Sequence, residues 1–195
     1  MRDAQRGRTR KAIVRAAARL LERGERPSLD EIAAEAEVSR ATTYRYFPGL
    51  DALLSEAAVD ALVPEPEDLF AADAPADVAA RLALVDATFD RACRAREVPL
   101  RLMLARTLER SVQPGGSETL LRQNRRVPMI EQALAPLGGP LPDELVPALA
   151  MIIGTEGMIA LKDVLGLDET ESRAVRLWAI DALLAAARGQ SSGRT

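Results

Sequence analysis

Apolar residues recur along this chain at the three- and four-residue intervals of amphipathic helices. Between residues 8 and 23, for example, Ile13, Ala17 and Leu20 fall on one helical face. Comparable patterns cover residues 76–97, 99–112, 117–137, 143–165 and 169–188. No alternating run is long enough to indicate a strand. Together with three shorter helices in the N-terminal third, the pattern predicts an all-α protein of about nine helices.

The shorter helices are predicted from their caps and stops. Ser28 can cap a helix that has Glu31 at its third position, the arrangement of a capping box. Ser39 can cap the next helix, which a Pro-Gly pair at residues 48–49 ends. A further helix follows over about residues 50–63. The N-terminal third is therefore predicted to contain four helices, three of them short.

The composition excludes several kinds of chemistry. Without histidine, the chain has no Ser-His or Cys-His nucleophile and no histidine-ligated zinc. Cys93 is its single cysteine, so neither an intrachain disulfide nor a thiolate metal cluster can form. We therefore expect no enzyme, no metal and no cofactor. A signal peptide and an apolar run of about 18 residues are also lacking, which predicts a cytoplasmic protein without a membrane partner.

The net charge of −3 hides an uneven distribution. Residues 1–26 contain nine basic and three acidic groups, whereas residues 51–93 contain two basic and ten acidic groups. A basic N-terminus on an acidic body is typical of a chain that presents one end to a polyanion. Charge alone also allows a disordered, solvated N-terminal arm.

The two short helices that start after Ser28 and Ser39 have the pattern of a helix-turn-helix. On the second, Thr43 and Phe47 share the side that can face the other helices. The outer side and its edges suit contacts in a major groove and comprise Arg40, Ala41, Thr42, Tyr44, Arg45 and Tyr46. Alternatively, the aromatic residues could form a small helical core, but the tyrosine hydroxyls would then need buried partners.

The N-terminal third resembles the DNA-binding signature of TetR-family transcriptional regulators. The signature lies in residues 28–48, SLDEIAAEAEVSRATTYRYFP, within a resemblance that covers about residues 8–63. It implies a homodimer that binds a palindromic operator in double-stranded DNA, usually as a repressor. It also implies a helical C-terminal domain that dimerises and holds a small-molecule effector.

The resemblance assigns the outer residues of the second short helix to DNA recognition, and Ser28 to a phosphate contact. Two positions depart from the family pattern. Glu37 occupies a turn position where glycine is common, and Leu50 stands where a lysine commonly contacts phosphate. We therefore expect basic residues of the N-terminal segment to supply more of the phosphate affinity, namely Arg6, Arg8 and Lys11.

Together, the pattern and the resemblance predict five parts. They are a helix-turn-helix DNA-binding domain (1–49), a connecting helix (50–63), a proline-bearing acidic joint (64–75), a helical effector-binding and dimerisation domain (76–188) and a disordered tail (189–195).

The last two predicted helices have a wider apolar surface than one packing contact needs. Pairing them across a two-fold axis would form a four-helix dimer interface. Its candidate residues are Ile153, Gly157, Ala160, Leu177, Trp178, Ile180 and Leu184. The alternative is a wholly intramolecular core.

Polar residues within apolar patterns are the only indication of an effector pocket. The candidates are Phe89, Cys93, Met103, Arg106, Arg125, Met129, Met151, Thr155 and Glu156. Residues 94–126 contain eight arginines and three glutamates. These arginines indicate either a cavity for an anionic effector, or side chains that are solvated or form ion pairs with the acidic segment. In the second interpretation, which we favour, Glu156 is the buried partner of Arg106 or Arg125.

We therefore predict a ligand-responsive DNA-binding regulator. Effector binding would change the spacing of its two recognition helices, with the helix over residues 50–63 as the lever. The alternative function is a helical protein-interaction module without specific DNA binding or effector.

Overall fold

The computed structural model of the chain describes residues 2–47, 49–60, 62–71, 74–112 and 125–192. These residues form eleven α-helices and contain no strand, so the prediction of an all-α protein is confirmed. In chain order the helices are α1 (Arg2–Glu22), α2 (Leu29–Glu35), α3 (Arg40–Tyr46), α4 (Leu50–Asp60), α5 (Pro66–Leu69), α6 (Val78–Ala95), α7 (Glu97–Ser111), α8 (Arg126–Leu134), α9 (Leu145–Ile152), α10 (Thr155–Ile159) and α11 (Glu169–Ser192). A 3₁₀ turn, Ala135–Leu137, follows α8, and a π-helical segment, Ala160–Val164, follows α10.

The chain divides into two compact units. The first combines Met1–Pro64 with Ala95–Gln123, and the second combines Glu65–Arg94 with Asn124–Thr195. The division after Pro64 coincides with the start of the proline-bearing acidic segment. Helix α7 belongs to the first unit, although its sequence lies within the predicted C-terminal domain.

Helix α1 is longer than its apolar pattern predicts. It begins at Arg2, and the basic N-terminal segment is therefore helical and not a disordered arm. Its C-terminal end is closed at Gly24, where a positive φ of 77° lets the glycine N–H donate to the carbonyl of Leu21.

The core of the first unit is built from α1, α2, α4 and the residue after α3. Its buried members are Ile13, Val14, Ala16, Ala17, Ala18, Leu20, Ile32, Phe47, Leu53 and Ala57. Burial of one large apolar side chain contributes about 1.5 to 3 kcal/mol. This core therefore fixes the three N-terminal helices against α4.

The helix predicted over residues 143–165 is interrupted in the structure. Ile153 adopts an extended conformation after α9, and Gly154 has a φ of 111°, which lies outside helical geometry. Arg126 donates from Nη1 to the Ile153 carbonyl oxygen at 2.9 Å. The carbonyl at the break therefore has a hydrogen-bond partner, as a buried backbone group requires.

Within the described part of the chain, no single helix has both the length and the apolar composition needed to cross a membrane. Leu145–Ile152 and Thr155–Val164 meet that test only as a pair, and they are bent by 50° relative to each other.

Candidate nucleic-acid interface

The first helix of the predicted helix-turn-helix is α2, and it starts with the capping box that the sequence predicts. The Glu31 N–H donates to Ser28 Oγ at 3.3 Å, while the Ser28 N–H donates to the Glu31 carboxylate at 2.7 Å. The Ser28 hydroxyl also lies 2.8 Å from that carboxylate and can donate to it. The hydrogen bond from the Ser28 N–H, and to a smaller extent that from its hydroxyl, lower the pKa of Glu31.

The turn between α2 and α3 contains a residue in the left-handed conformation, and that residue is a glutamate instead of a glycine. Glu37 has a φ of 55°. The turn is closed by the Glu37 N–H, which donates to the Ala34 carbonyl, and by the Val38 N–H, which donates to the Ala33 carbonyl. A left-handed conformation costs a residue with a Cβ atom about 1 to 2 kcal/mol. The departure from the family pattern thus changes the stability of the turn more than its course.

Both ends of α3 are held in place. At its start, Ser39 Oγ accepts from the Thr42 N–H at 3.1 Å and lies 2.8 Å from Thr42 Oγ1. Thr43 is fully buried, and Phe47, directly after the helix, is 3% exposed in the core. The predicted inner side of α3 is therefore confirmed.

The outer side of α3 presents two arginines. Arg40, Ala41, Tyr44 and Arg45 are all exposed. The Arg40 guanidinium lies 2.9 Å from the Asp30 carboxylate and 5.5 Å from the centroid of the Tyr44 ring. Hydrogen bonding to Tyr44, and next the charge of Asp30, raise the pKa of Arg40. A neighbouring carboxylate and an aromatic ring thus orient a permanently charged side chain at the start of the helix.

Two of the predicted contact residues lie at the edge of this surface. Tyr46 is half-buried and packs against the core of the first unit, whereas we expected it to point outward. Its ring lies 5.4 Å from the Arg45 guanidinium, so it also supports an exposed arginine. Thr42 is half-buried as well, and its hydroxyl is engaged by Ser39.

The basic residues near the N-terminus lie on α1. Arg6 and Arg8 are exposed and Lys11 is half-buried. Because residues three apart on a helix are neighbours, Arg8 and Lys11 share one side, while Arg6 lies about 140° around the helix from Lys11. The three residues therefore do not form one patch, and a single DNA backbone can meet only part of the set.

These features define a helix-turn-helix DNA-binding domain: two capped short helices, a tight turn and an exposed second helix with arginines on its outer side. Residues 13–57, which run from α1 into α4, match the family model described as "Bacterial regulatory proteins, tetR family". This match identifies residues 13–57 of the first unit as similar to the DNA-binding domain of tetR-family transcriptional regulators. No curated protein and no solved structure gives a significant match to the chain.

Several candidate dimer residues are part of the core of the second unit. Ile153, Ile180 and Leu184 are at most 2% exposed. Gly157 is buried too. These side chains leave no surface for a partner, because their apolar faces are already covered within one chain. Ala160 is exposed and Leu177 half-buried, and Trp178, at 73%, is the most exposed of the candidates.

The candidate pocket residues are divided between the two units. Met103 is half-buried in the first unit, and the side chain of Arg106 lies outside the described part. In the second unit, Cys93 Sγ lies 3.7 Å from Thr155 Oγ1, and both residues are buried. Burial raises the pKa of the Cys93 thiol. The thiol is therefore a protonated, packed group in this unit.

The remaining pocket candidates differ widely in exposure: Met129 is buried, Phe89 is half-buried, and Met151 is 69% exposed. Met129 belongs to the core of the second unit, and Met151 lies at its surface.

The described partner of Glu156 is Arg126, the neighbour of the expected Arg125, while the side chain of Arg106, the other expected partner, lies outside the described residues. The Glu156 carboxylate lies 2.7 Å from Nη1 of Arg126, and Arg125 instead lies 3.8 Å from Glu65. Arg125 precedes α8 while Arg126 is its first residue, so the two side chains leave the backbone in different directions. The pairing of an arginine with the acidic segment is nevertheless realised by Arg125 and Glu65.

A buried ion-pair network in the second unit was not predicted from the sequence. Arg176 on α11 lies 2.7 Å from the carboxylate of Asp86 and 2.9 Å from that of Asp90. The Arg176 and Asp86 side chains are 5% and 3% exposed. Burial raises the pKa of Asp86 and outweighs the opposing hydrogen bond from Arg176. The sequence signal was a pair of aspartates four residues apart in α6, near the apolar residues Leu82, Val85 and Phe89.

Proposed function

We propose that this chain is a repressor that binds a palindromic operator as a homodimer and is released from DNA by a small-molecule effector. The observation that supports operator binding most directly is the exposed outer side of α3, on a helix whose two ends are held by Ser39 and Phe47. A fixed helix with exposed arginines is the element that a major groove admits.

The chemistry of α3 assigns a role to each exposed residue. Arg40 and Arg45 would donate to the N7 and O6 atoms of guanines, a contact worth about 1 to 3 kcal/mol of discrimination. The methyl group of Ala41 would contact a thymine methyl, and the Tyr44 hydroxyl would donate to a phosphate. Since the Thr42 hydroxyl is engaged by Ser39, its methyl group is the part left to face a base.

The homodimer part of the proposal is supported by an exposed apolar stripe on α11. Val175, Trp178, Ala182 and Ala185 are all exposed and recur at helical spacing along this helix. Trp178 alone is 73% exposed, which is unusual for so large an apolar side chain. A second copy of the chain, with the same stripe related by two-fold symmetry, would cover it.

Solution mass tests the dimer. We expect the wild-type chain to have twice the 21.0 kDa mass of one copy in light scattering, and Trp178→Arg to be a monomer. Val98→Arg is the matched control, because Val98 is similarly exposed at 67% but lies on α7. A monomeric wild-type chain, or a dimeric Trp178→Arg variant, would contradict the proposed interface.

Operator binding is tested by selecting duplexes from a randomised pool with the wild-type protein. A palindromic consensus, with half-sites one helical turn apart or a multiple of it, is the expected result. Binding to the selected duplex should weaken steeply with salt, because contacts to phosphates release counterions. A pool that never converges would reject specific DNA binding.

Two observations support the effector part of the proposal. Residues 13–57 match the tetR family, and Cys93, Thr155 and Arg126 form a group of polar residues in the second unit. A small molecule that raises the melting temperature of the protein should also release the selected duplex. If the small molecule binds the protein while the duplex stays bound, the effector part of the proposal is rejected and operator binding is not.

A further inference from the structure

One arginine of α1 connects three parts of the DNA-binding unit. Both terminal nitrogens of Arg10 contact the Glu56 carboxylate on α4, and the Nη2–Oε2 distance is 2.6 Å. Its Cζ atom lies 4.7 Å from the centroid of the Phe47 ring, directly after α3. The Arg10 and Glu56 side chains are 21% and 12% exposed, so this contact is largely shielded from water.

The geometry of this contact requires arginine. Its planar guanidinium can donate two parallel bonds to a carboxylate and present its face to an aromatic ring, whereas the ammonium of a lysine is a single point charge. A cation over an aromatic ring contributes about 0.5 to 2 kcal/mol, depending on its exposure to water. One side chain thus ties α1 to α4 and also covers the Phe47 ring.

Phe47 lies directly after α3, at its C-terminal cap. Its N–H donates to the Thr43 carbonyl at 2.8 Å, and its ring packs in the core of the first unit. A shift of this ring therefore moves the C-terminal end of α3, which carries Arg45. The donors of Arg10 are directed at Glu56, so its role differs from that of the exposed Arg6 and Arg8.

We propose that Arg10 and Glu56 are positioning residues for sequence-specific DNA binding, which act on α3 through Phe47 and touch no base. The inference rests on the proposed operator binding. For Glu56, this inference and a purely electrostatic explanation predict changes in DNA affinity of opposite sign. Glu56 is acidic, so its neutralisation should strengthen binding to a polyanion if only electrostatics mattered. If Glu56 fixes the guanidinium that covers Phe47, neutralisation weakens specific binding instead.

The test uses two duplexes, the one selected by the wild-type protein and a scrambled version of it. We expect Arg10→Lys and Glu56→Gln each to bind the selected duplex roughly five- to tenfold more weakly, and the scrambled duplex at least as tightly as the wild-type chain does. Arg10→Lys keeps the charge and would remain a good phosphate contact, so its loss of affinity separates positioning from direct contact.

Arg19→Lys is the matched control. Arg19 is also on α1 and also pairs with a glutamate, with its Nε 2.8 Å from the Glu35 carboxylate, but no contact with Phe47 is recorded for it among the described residues. The affinity of the Arg19→Lys variant for both duplexes should stay close to that of the wild-type chain. Circular dichroism at the binding temperature establishes that each variant is folded, and Glu56→Gln decides if Arg10→Lys is not.

Three results would overturn this inference without affecting the operator proposal. Both variants could bind the selected duplex with wild-type affinity, or Glu56→Gln could bind it more tightly. The third is an equal loss of affinity for the two duplexes, accompanied by a lower melting temperature. The last would mean that the contact only stabilises the fold. Failure of the wild-type chain to select any duplex would overturn the operator proposal, and this inference with it.

Discussion

Arg176→Met tests the buried ion-pair network of the second unit. The substitution keeps an unbranched side chain and removes the charge that lies between Asp86 and Asp90. Asp90 keeps an ion pair with Arg94. Asp86, whose side chain is 3% exposed, loses the only partner recorded for it at ion-pair distance within the described part of the chain.

The expected loss is large because a buried charge stays behind. Removing one partner of a buried pair costs about 3 to 5 kcal/mol. For a chain of this size each kcal/mol corresponds to about 2 to 4 °C, so the melting temperature should fall by roughly 6 to 20 °C. The network occupies α6 and α11, two of the longest helices of the second unit, so the loss should affect the whole unit.

The loss should also depend on pH. Burial already raises the pKa of Asp86, and removing Arg176 should raise it further. The folded variant then binds a proton that the unfolded chain releases. The contribution of this group to stability is complete below the unfolded pKa of about 3.9 and disappears as pH rises through the folded pKa. The deficit of Arg176→Met should therefore be largest at neutral pH and smaller near about pH 5.

Urea unfolding followed by circular dichroism at both pH values measures the effect. The double variant Asp86→Asn/Arg176→Met is the control, because it removes the buried charge as well and should recover much of the loss at neutral pH. A single variant within about 1 kcal/mol of the wild-type chain, or a deficit that grows on acidification, would refute the reasoning.

Two glycine-related predictions concern single backbone positions. A Cβ atom on Gly157 would lie 1.9 Å from the Ile152 carbonyl oxygen, so Gly157→Ala should destabilise the second unit by roughly 1 to 3 kcal/mol in urea unfolding. Gly189→Ala, where no atom lies within 4 Å of the added carbon, is its control and should not destabilise. Glu37→Gly should raise stability by about 0.5 to 1 kcal/mol, because glycine adopts the φ of 55° without strain. A lower melting temperature for Glu37→Gly would contradict the strain argument.

The local features of the first unit could be predicted because they depend on neighbouring residues. Ser28 and Ser39 cap helices whose first turns are their own sequence neighbours. The inner side of α3 follows from the helical spacing of Thr43 and Phe47. Tyr46 is harder to place, because an edge position can turn toward the core or toward solvent.

Features that depend on distant residues were not predictable. Asp86 and Arg176 are 90 positions apart, and neither local sequence indicates which residue is its partner. The apolar residues around Gly154 continue the pattern of one helix across a break that depends on its φ and on Arg126. The apolar width of α11 predicted burial correctly, but it could not tell whether Ile180 and Leu184 face their own chain or a partner.

The proposed function depends on base recognition by α3 in a major groove, and the affinity of Arg45→Ala for the selected duplex measures that recognition. Arg45 is exposed on the outer side of α3. We expect a loss of about 1 to 3 kcal/mol of binding free energy, together with relaxed base preference at one position of each half-site. Unchanged affinity and unchanged base preference in this variant would contradict base recognition by α3.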